Sequence, residues 1–339
     1  MQDTRVTSTP AGLHWRYADY PEPHGERTRT LLAAHPDAKD LCGHTPSTAV
    51  WVVAIVALQI GLAFLLRASP WWLVLLVAYV VGAVANHALW VLIHEATHNL
   101  IFRSSAANAW MAILANLPIV FPSAIAFRKY HLLHHAYQGR EELDADLASP
   151  MEAKLVGNSS WRKAAWLLLY FLVQPLRVPR LRRIKLFDGW YATNLVVELA
   201  FVVAVAGLGG AKAIGFLLLG SIFAVGLHPA GGRWIQEHYL TFPGDQETFS
   251  YYGPMNTLAF NVGYHNEHHD LMRVAWSRLP ALRRLAPELY APLHYHRSWT
   301  RLVLRFIFDP SLSLYSRVTR RSPAEPEKRE PAAATTLAG

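Results

Sequence analysis

The chain has 339 residues, of which 52% are hydrophobic and only 17% charged. Soluble globular proteins carry about 25% charged residues, and here the apolar residues fall in long blocks, which points to a membrane protein and away from a soluble one. The lone cysteine, Cys42, excludes an intrachain disulfide framework and a thiolate metal cage, and the net charge of +8, placed beside apolar blocks, marks a cytoplasmic membrane face instead of a nucleic-acid surface.

Residues 1–47 are polar and broken by prolines, without the basic-then-apolar start of a signal peptide, and Gln2 excludes N-myristoylation. They read as a cytoplasmic N-terminal segment. A helical bilayer crossing takes about 20 apolar residues. Residues 49–66 and 71–93 qualify and are separated only by "RASP", so they form a hairpin. A second hairpin spans 190–208 and 211–227 around a Gly-rich turn, its first limb interrupted by Asn194 and Glu198. Residues 107–127 are long enough to cross but contain Pro118 and Pro122, and residues 164–174 are short. A crossing at 107–127 would put the histidine clusters on either side of it on opposite membrane faces. Both stretches are therefore read as helices lying in the interface or packed on the domain.

Four spans place both termini on one side. The loop 176–188 carries Arg177, Arg180, Arg182, Arg183 and Lys185, whereas the two external turns carry Arg67 and Lys212, so the loop side is cytoplasmic. The tail 321–339 is rich in Pro, Ala and Glu and is expected to be disordered. The expected fold is an all-α membrane protein. Residues 48–320 form four transmembrane helices in two hairpins, with a cytoplasmic helical domain holding a histidine-rich di-metal site.

Three clusters carry the chemistry. "HEATH" supplies His94 and His98, "HLLHH" supplies His131, His134 and His135, and "FNVGYHNEHHD" supplies His265, His268 and His269. Residues three and four apart share one helix face, so each cluster can aim its imidazoles at one point. Eight such ligands exceed one tetrahedral zinc and suit two metal ions that each keep an open position. Imidazole serves iron, copper and zinc alike, so the spacing does not name the metal.

His238, in "GGRWIQEHYLTF", is a ninth ligand candidate. His228 closes the last span and is either a ligand or a helix-terminal residue. His87 lies two turns below His94 on the same stripe, placed for a substrate channel or for an interhelical hydrogen bond. His14, His24, His35, His44, His294 and His296 read as solvated or internally satisfied groups.

Rival motifs explain less. "HEATH" matches the His-Glu-x-x-His zinc-protease signature with Glu95 as general base, but leaves the other six clustered histidines unused. "HPAGG" at 228–232 is similar to a cytochrome b5 haem loop, yet follows a span directly with no soluble fold around it. Glu95 and His98 make a single Glu-x-x-His, whereas a carboxylate-bridged di-iron bundle needs two and more glutamates. A metal transporter would place its histidines inside the spans, and nearly all lie beyond the span ends.

The three boxes with four spans resemble the membrane fatty acid desaturase superfamily, which includes hydroxylases, and within it the sphingolipid Δ4-desaturase (dihydroceramide desaturase) family. The stretches that carry the resemblance are "HEATHNLIF" (94–102), "ANLPI" (115–119), "KYHLLHHAY" (129–137), "GLHPAGG" (226–232), "EHY" (237–239), "ETFSYYGPMNTLAFNVGYHNEHHD" (247–270) and "LSLYSR" (312–317). The segment "WRYADYPEPHGERTRTLLAAHP" (15–36) is similar as well. The chain departs from that family at "LMRVAWSRLP" after the third box, at Arg233 where a histidine is expected, and in lacking the usual N-terminal Met-Gly.

The resemblance implies a di-iron centre held by the histidines, O2 as co-substrate, and two electrons from an external donor such as cytochrome b5 or ferredoxin. It implies a trans double bond between C4 and C5 of dihydroceramide, with C4-hydroxylation, or desaturation of another acyl lipid, as the alternative outcome. Glu95, Asn266, Glu267 and Asp270, beside the ligands, are candidates to orient an imidazole through its distal N–H. Tyr251, Tyr252 and Asn261 are candidates to shape the substrate path. The Ala- and Arg-rich composition suggests a bacterial inner membrane in preference to the endoplasmic reticulum.

Overall fold

The computed structural model describes residues 13–181 and 183–320. Gln2, Arg182 of the basic loop and the tail 321–339 lie outside the described residues. The chain opens with a short strand β1 (Arg16–Tyr17) and helix α1 (His24–Ala34), then enters α2 (Thr48–Leu65). On α2 only the stripe Thr48, Val52, Val56, Gln59 and Ala63 is buried within the protein, while Val50, Trp51, Val53 and Leu58 are exposed. A helix that is apolar on its exposed face has hydrocarbon as its solvent.

Among the described residues, three helices are long and apolar enough to cross a membrane: Thr48–Ala68, Trp71–Thr97 and Gly189–Val225. The second starts as α3 (Trp71–Val77), passes through a π-helical turn over Ala78–Gly82, and continues as α4 (Ala83–Thr97). The π turn frees backbone groups, and Gln59 Nε2 donates to Gly82 O at 3.0 Å. From there a buried polar chain links the helices. Gln59 Nε2 donates to Asn86 Oδ1 (2.5 Å), Asn86 Nδ2 to Ser221 Oγ (2.9 Å), and Ser221 Oγ to Ile119 O (2.9 Å). A Cβ on Gly220 would sit 3.3 Å from the Gly82 backbone, so the two helices meet main chain to main chain.

The third long helix, α10 (Gly189–Val225), covers both stretches of the expected second hairpin. It is broken at Gly210, whose φ of 70° and ψ of −172° suit glycine alone. Tyr191 near its start and Val225 at its end line one cavity, although an unbroken helix would hold them about 50 Å apart at ~1.5 Å per residue. The two limbs therefore lie side by side.

Between α4 and α10 the chain forms α5 (Ser105–Asn116) and α6 (Ala124–Tyr137), bent 115° from one another across a turn containing Pro118 and Pro122. Asn116 pins that turn. Its Oδ1 accepts from Ser123 N (2.9 Å) and Ala124 N (2.7 Å), and its Nδ2 donates to Phe121 O (2.5 Å). The bend redirects α6 so that its histidine-bearing end meets the end of α4. Next come α7 (Pro150–Val156), α8 (Ser160–Leu168) and α9 (Tyr170–Val173), so the 164–174 stretch is helical with an interruption at Leu169.

After α10 the chain forms α11 (Gly232–His238), β2 (Ser250–Tyr251), α12 (Met255–Leu258), α13 (His265–Asp270), α14 (Leu279–Leu285), α15 (Pro287–Tyr290), β3 (Tyr295–His296), α16 (Trp299–Phe308) and β4 (Val318–Thr319). β2 pairs in parallel with β3, and β1 with β4 in the register Arg16↔Val318 and Tyr17↔Thr319. The second pair fastens the start of the described chain to its end. The largest apolar core runs from Val91 and Ile93 on α4 through Phe127 on α6 to Trp299 and Phe306 on α16. It includes residues of α4, α6 and α11 and, just before α13, Phe260 and Val262.

Candidate metal centre

The histidines converge because the elements that carry them end at one place. His94 and His98 close α4, and His131, His134 and His135 occupy the last turns of α6. His238 is the last residue of α11, and His265, His268 and His269 lie on α13. Their nitrogens sort into two sets. One gathers His94, His98, His131, His135 and His268; the other gathers His134, His238 and His269. His265 joins the second set, its Nε2 3.0 Å from His238 Nε2.

The sorting follows helix geometry. Residues four apart point the same way and neighbours about 100° apart. On α6 the pair His131/His135 enters the first set and His134 the second. On α13 the assignment is reversed: His268 enters the first set, His269 the second. Each His-His doublet thus straddles the two sets.

The spacing fits metal ligation. Nε2 atoms lie 3.1 Å apart for His98/His131, 3.0 Å for His131/His135, 3.2 Å for His135/His268 and 3.1 Å for His134/His238. Metal–nitrogen bonds of about 2.1 Å put neighbouring donors of an octahedron about 3 Å apart. His269 Nε2 is buried with no hydrogen-bond partner, as expected of a donor that serves an ion. Burial pushes the His98 imidazole down to about 3 and holds His238, His265, His268 and His269 well below the ordinary histidine range, with neighbouring imidazoles adding to it. These rings are neutral near pH 7, so each can keep a nitrogen lone pair free for an ion.

Behind the rings sit acceptors. His134 Nδ1 lies 2.9 Å from Asp144 Oδ1 and 3.4 Å from Asp146 Oδ2. Asp144 is itself fixed, accepting from Gly139 N and Asp146 N at 2.8 Å each. Burial would raise its carboxyl, but His134 and the Gly139 N–H hold it well below the usual range. His265 Nδ1 lies 3.7 Å from Glu237 Oε1, and Arg233 Nε donates to the same oxygen at 2.6 Å. Arg233, the departure noted above, is thus a buried cation that anchors Glu237. His238 Nδ1 faces Thr248 Oγ1 at 3.4 Å.

The four candidates proposed to orient a ligand are placed differently from one another. Glu95 is buried, with Oε1 3.9 Å from His94 Nδ1 and Oε2 accepting from Trp276 N at 3.1 Å. Asn266 donates to Thr248 O (3.1 Å), and Glu267 accepts from Tyr252 OH (2.5 Å) and Ser250 Oγ (2.8 Å). Asp270 binds His24 and Arg27. His228 and His87 stand outside both sets. His228 Nδ1 accepts from Ala230 N at 3.1 Å, and His87 packs edge-on against Trp299 at 5.5 Å. Tyr251 stacks on Trp299 at 4.3 Å, and Asn261 Nδ2 donates to Trp276 O at 3.1 Å.

Asp144, Asp146, Glu237, Thr248 and His24 escaped the sequence reading. A carboxylate pair nine to eleven residues beyond the second box is a weak signal that would have flagged Asp144 and Asp146. Nothing local marks the other three. Metal-ligand acceptors account for about 10–100-fold in metal affinity, so Asp144→Asn is expected to weaken metal retention by that factor, read by metal analysis after graded chelation. Wild-type retention would remove Asp144 from the site.

A cavity of about 430 Å³ adjoins the ligand-bearing helices, lined by Trp90, Phe121, Tyr130, Tyr170, Val225 and Trp234 among others. Trp90 lies one turn before His94, Tyr130 beside His131, and Trp234 one turn before His238. The cavity is therefore registered to both sets through the helices that hold them, and its walls suit an aliphatic chain.

The family model described as fatty acid desaturase matches residues 70–302, and one described as sphingolipid Delta4-desaturase matches residues 14–47. A "sphingolipid delta(4)-desaturase DES1-like" protein of Oryza sativa subsp. japonica is 41% identical over 309 residues, covering 91% of this chain and 93% of its own. The "sphingolipid delta(4)-desaturase DES1" of Drosophila melanogaster is 41% identical over 315 residues, covering 91% and 95%. A Rattus norvegicus protein named "sphingolipid delta(4)-desaturase/C4-monooxygenase DES2" is 40% identical over 314 residues, covering 91% and 95%.

Proposed function

Since the chain belongs to the fatty acid desaturase family, we propose that it is an O2-dependent, di-iron lipid desaturase that introduces a trans C4–C5 double bond into the sphingoid base of a dihydroceramide-like lipid. The observation that carries the reading is the convergence of all nine box and linker histidines on two adjacent sets. The substrate class follows from relatives of that printed activity, which match nearly the whole chain.

Iron held there would supply, with O2 and two electrons, the oxidant that an unactivated methylene requires and that side chains lack. The residues of this chain do the rest. His94, His98, His131, His135 and His268 would hold one ion, and His134, His238, His265 and His269 the other. Asp144, Asp146 and Thr248 keep distal N–H groups engaged so that the proximal nitrogens stay free, and Glu237 places a carboxylate 3.7 Å behind His265 Nδ1. The apolar cavity beside Trp90, Tyr130 and Trp234 receives the aliphatic chain and excludes water. Which carbon is attacked is a matter of register, since misplacement by ~1 Å can cost about 100-fold.

In the membrane, the helices read as two hairpins: Thr48–Ala68 with Trp71–Thr97, and the limbs of Gly189–Val225 on either side of Gly210. Arg177, Arg180, Arg183 and Lys185 favour a cytoplasmic position for the histidine sets and both termini, with the bent pair α5–α6 beneath them. An electron donor of the cytochrome b5 or ferredoxin class would approach from that side. The Ala- and Arg-rich composition favours a bacterial inner membrane, although the relatives named above are plant and animal proteins.

C4-hydroxylation is the second reading, favoured by the C4-monooxygenase in the name of the rat relative. Lipid mass spectrometry of a host without sphingolipid desaturation, fed dihydroceramide and expressing this chain, decides between them. The expected product has lost two hydrogens at C4 and C5. A product heavier by one oxygen would make the enzyme a hydroxylase. Neither product, from iron-loaded protein with a working donor, would overturn the sphingoid substrate.

A further inference from the structure

We infer that the N-terminal segment, residues 14–47, is a positioning element of the metal centre, and that it sets the tautomer of His238 through a relay from Asp270 over His24 and Thr248. The inference rests on the reading of His238 as a metal ligand. It assigns a task to the segment covered by the second family model, which lies outside the residues matched by the first.

The segment is strapped over the site from both ends of the domain. β1 pairs with β4, Ala18 N donates to Thr319 O at 2.9 Å, and Arg320 Nε donates to Tyr20 O at 3.0 Å. α1 then lies on α13. Thr28 Oγ1 donates to Asp270 O at 2.6 Å, Arg27 Nε to Asp270 Oδ2 at 2.5 Å, and Arg27 Nη2 to Asn266 Oδ1 at 2.9 Å. These contacts deliver His24, itself buried, against the second set, its ring 4.7 Å from that of His269.

Both nitrogens of His24 are used. Nδ1 lies 2.7 Å from Asp270 Oδ1, and Nε2 lies 2.9 Å from Thr248 Oγ1. An ionised carboxylate only accepts, so in the neutral imidazole the proton sits on His24 Nδ1 and Nε2 is the acceptor. Arg27 Nη2 lies 2.9 Å from the same Nδ1 and donates to Asn266 Oδ1 at 2.9 Å; an Nδ1 that gives its proton to Asp270 has no lone pair left to accept from the guanidinium. Thr248 Oγ1 must then donate to His24. Its lone pairs face Gln138 Nε2 and His238 Nδ1, at 3.4 Å each. Thr248 has one hydroxyl proton, and His24 takes it, so His238 Nδ1 must be the donor in that last contact. The lone pair of His238 is left on Nε2, the atom that faces His134 and His265. Reversing any link would put a proton on the metal-facing nitrogen. The carboxylate end is held by Arg27, so the segment supplies both the relay and its anchor.

The test uses the full-length protein in detergent, loaded with iron(II). Iron is measured after graded chelator, with Mössbauer spectra recording the ligand environment. Thr248→Val, which keeps the shape and removes the hydroxyl, is expected to lose iron about 10–100-fold more readily and to alter one of two iron signals. Thr248→Ser is expected to restore wild-type retention. His24→Leu carries the same expectation as Thr248→Val, so refutation stays possible if the threonine variant does not fold. His35→Ala, on the same segment but bonded to Glu288 at the surface, is expected to match wild type. Thr248→Val or His24→Leu with wild-type retention and spectra would overturn the relay while leaving the di-iron reading intact. Wild-type protein that takes up no iron would overturn the metal centre itself and the relay with it.

Discussion

His268→Ala will reduce lipid turnover by more than about 100-fold, a loss exceeding that of any outer partner of a metal ligand. His268 is the contribution of α13 to the first set, with Nε2 3.2 Å from His135 Nε2 and its ring 4.4 Å from that of His94 and 4.7 Å from that of His98. Truncation removes a donor at the junction of α4, α6 and α13. His269→Ala should be equally severe through the second set, because both ions are needed. Product formation by lipid mass spectrometry and iron content of purified protein check both variants. The same pair of measurements tests the zinc-protease reading of "HEATH". That reading requires Glu95→Gln to abolish activity and His268→Ala to spare it; the opposite ranking is expected here.

Arg177→Ala will destabilise the protein by about 3–5 kcal/mol, because it strands a carboxylate that the fold has taken out of water. Arg177 and Glu152 form a two-pronged pair, Nε to Oε2 at 3.0 Å and Nη2 to Oε1 at 2.5 Å, and the guanidinium is almost wholly buried. Glu152 also accepts from Trp166 Nε1 at 2.7 Å and closes the capping box of α7 with Ser149. Arg177 Nη1 holds Ala145 O (3.3 Å) and Asp146 O (3.2 Å), so the pair fixes the loop that presents Asp144 and Asp146 to His134. Thermal unfolding in detergent measures the loss. The Arg177→Met, Glu152→Leu double variant should cost less than either single change, since no charge is left unpaired. A single-variant loss below about 1 kcal/mol would mean that the pair behaves like an exposed one.

Much of this architecture is written in local periodicity. The apolar runs of α2 and of α3–α4 announce themselves by length, and the Gly-rich stretch at Gly210 marks where α10 breaks, because only glycine takes that backbone cheaply. Eight of the nine ligand candidates were legible because a helix turns spacings of three and four into a shared face. His238, with no partner at such a spacing, was the hardest of them to find. Two features could not be read this way. A doublet such as His134-His135 or His268-His269 does not reveal which member serves which set; that depends on how α6 and α13 are rotated against each other. The acceptors behind the rings come from anywhere in the chain that packing brings near, which is why Asn266, Glu267 and Asp270, adjacent in sequence, face the N-terminal segment and the β2 region instead.

By itself, then, the sequence determined the long apolar helices and the box histidines that the fold gathers, since each follows from composition or from spacing within one element. Only the tertiary structure decided the partition of the imidazoles into two sets, the turn at Asn116 that aims α6 at α4, and the seating of His24 beside His269. The turn is closed by contacts five to eight positions apart, whereas the partition and the seating of His24 depend on contacts between residues up to some 250 positions apart, such as His24 and Asp270. Such contacts are fixed by packing the whole chain, and no local pattern encodes them.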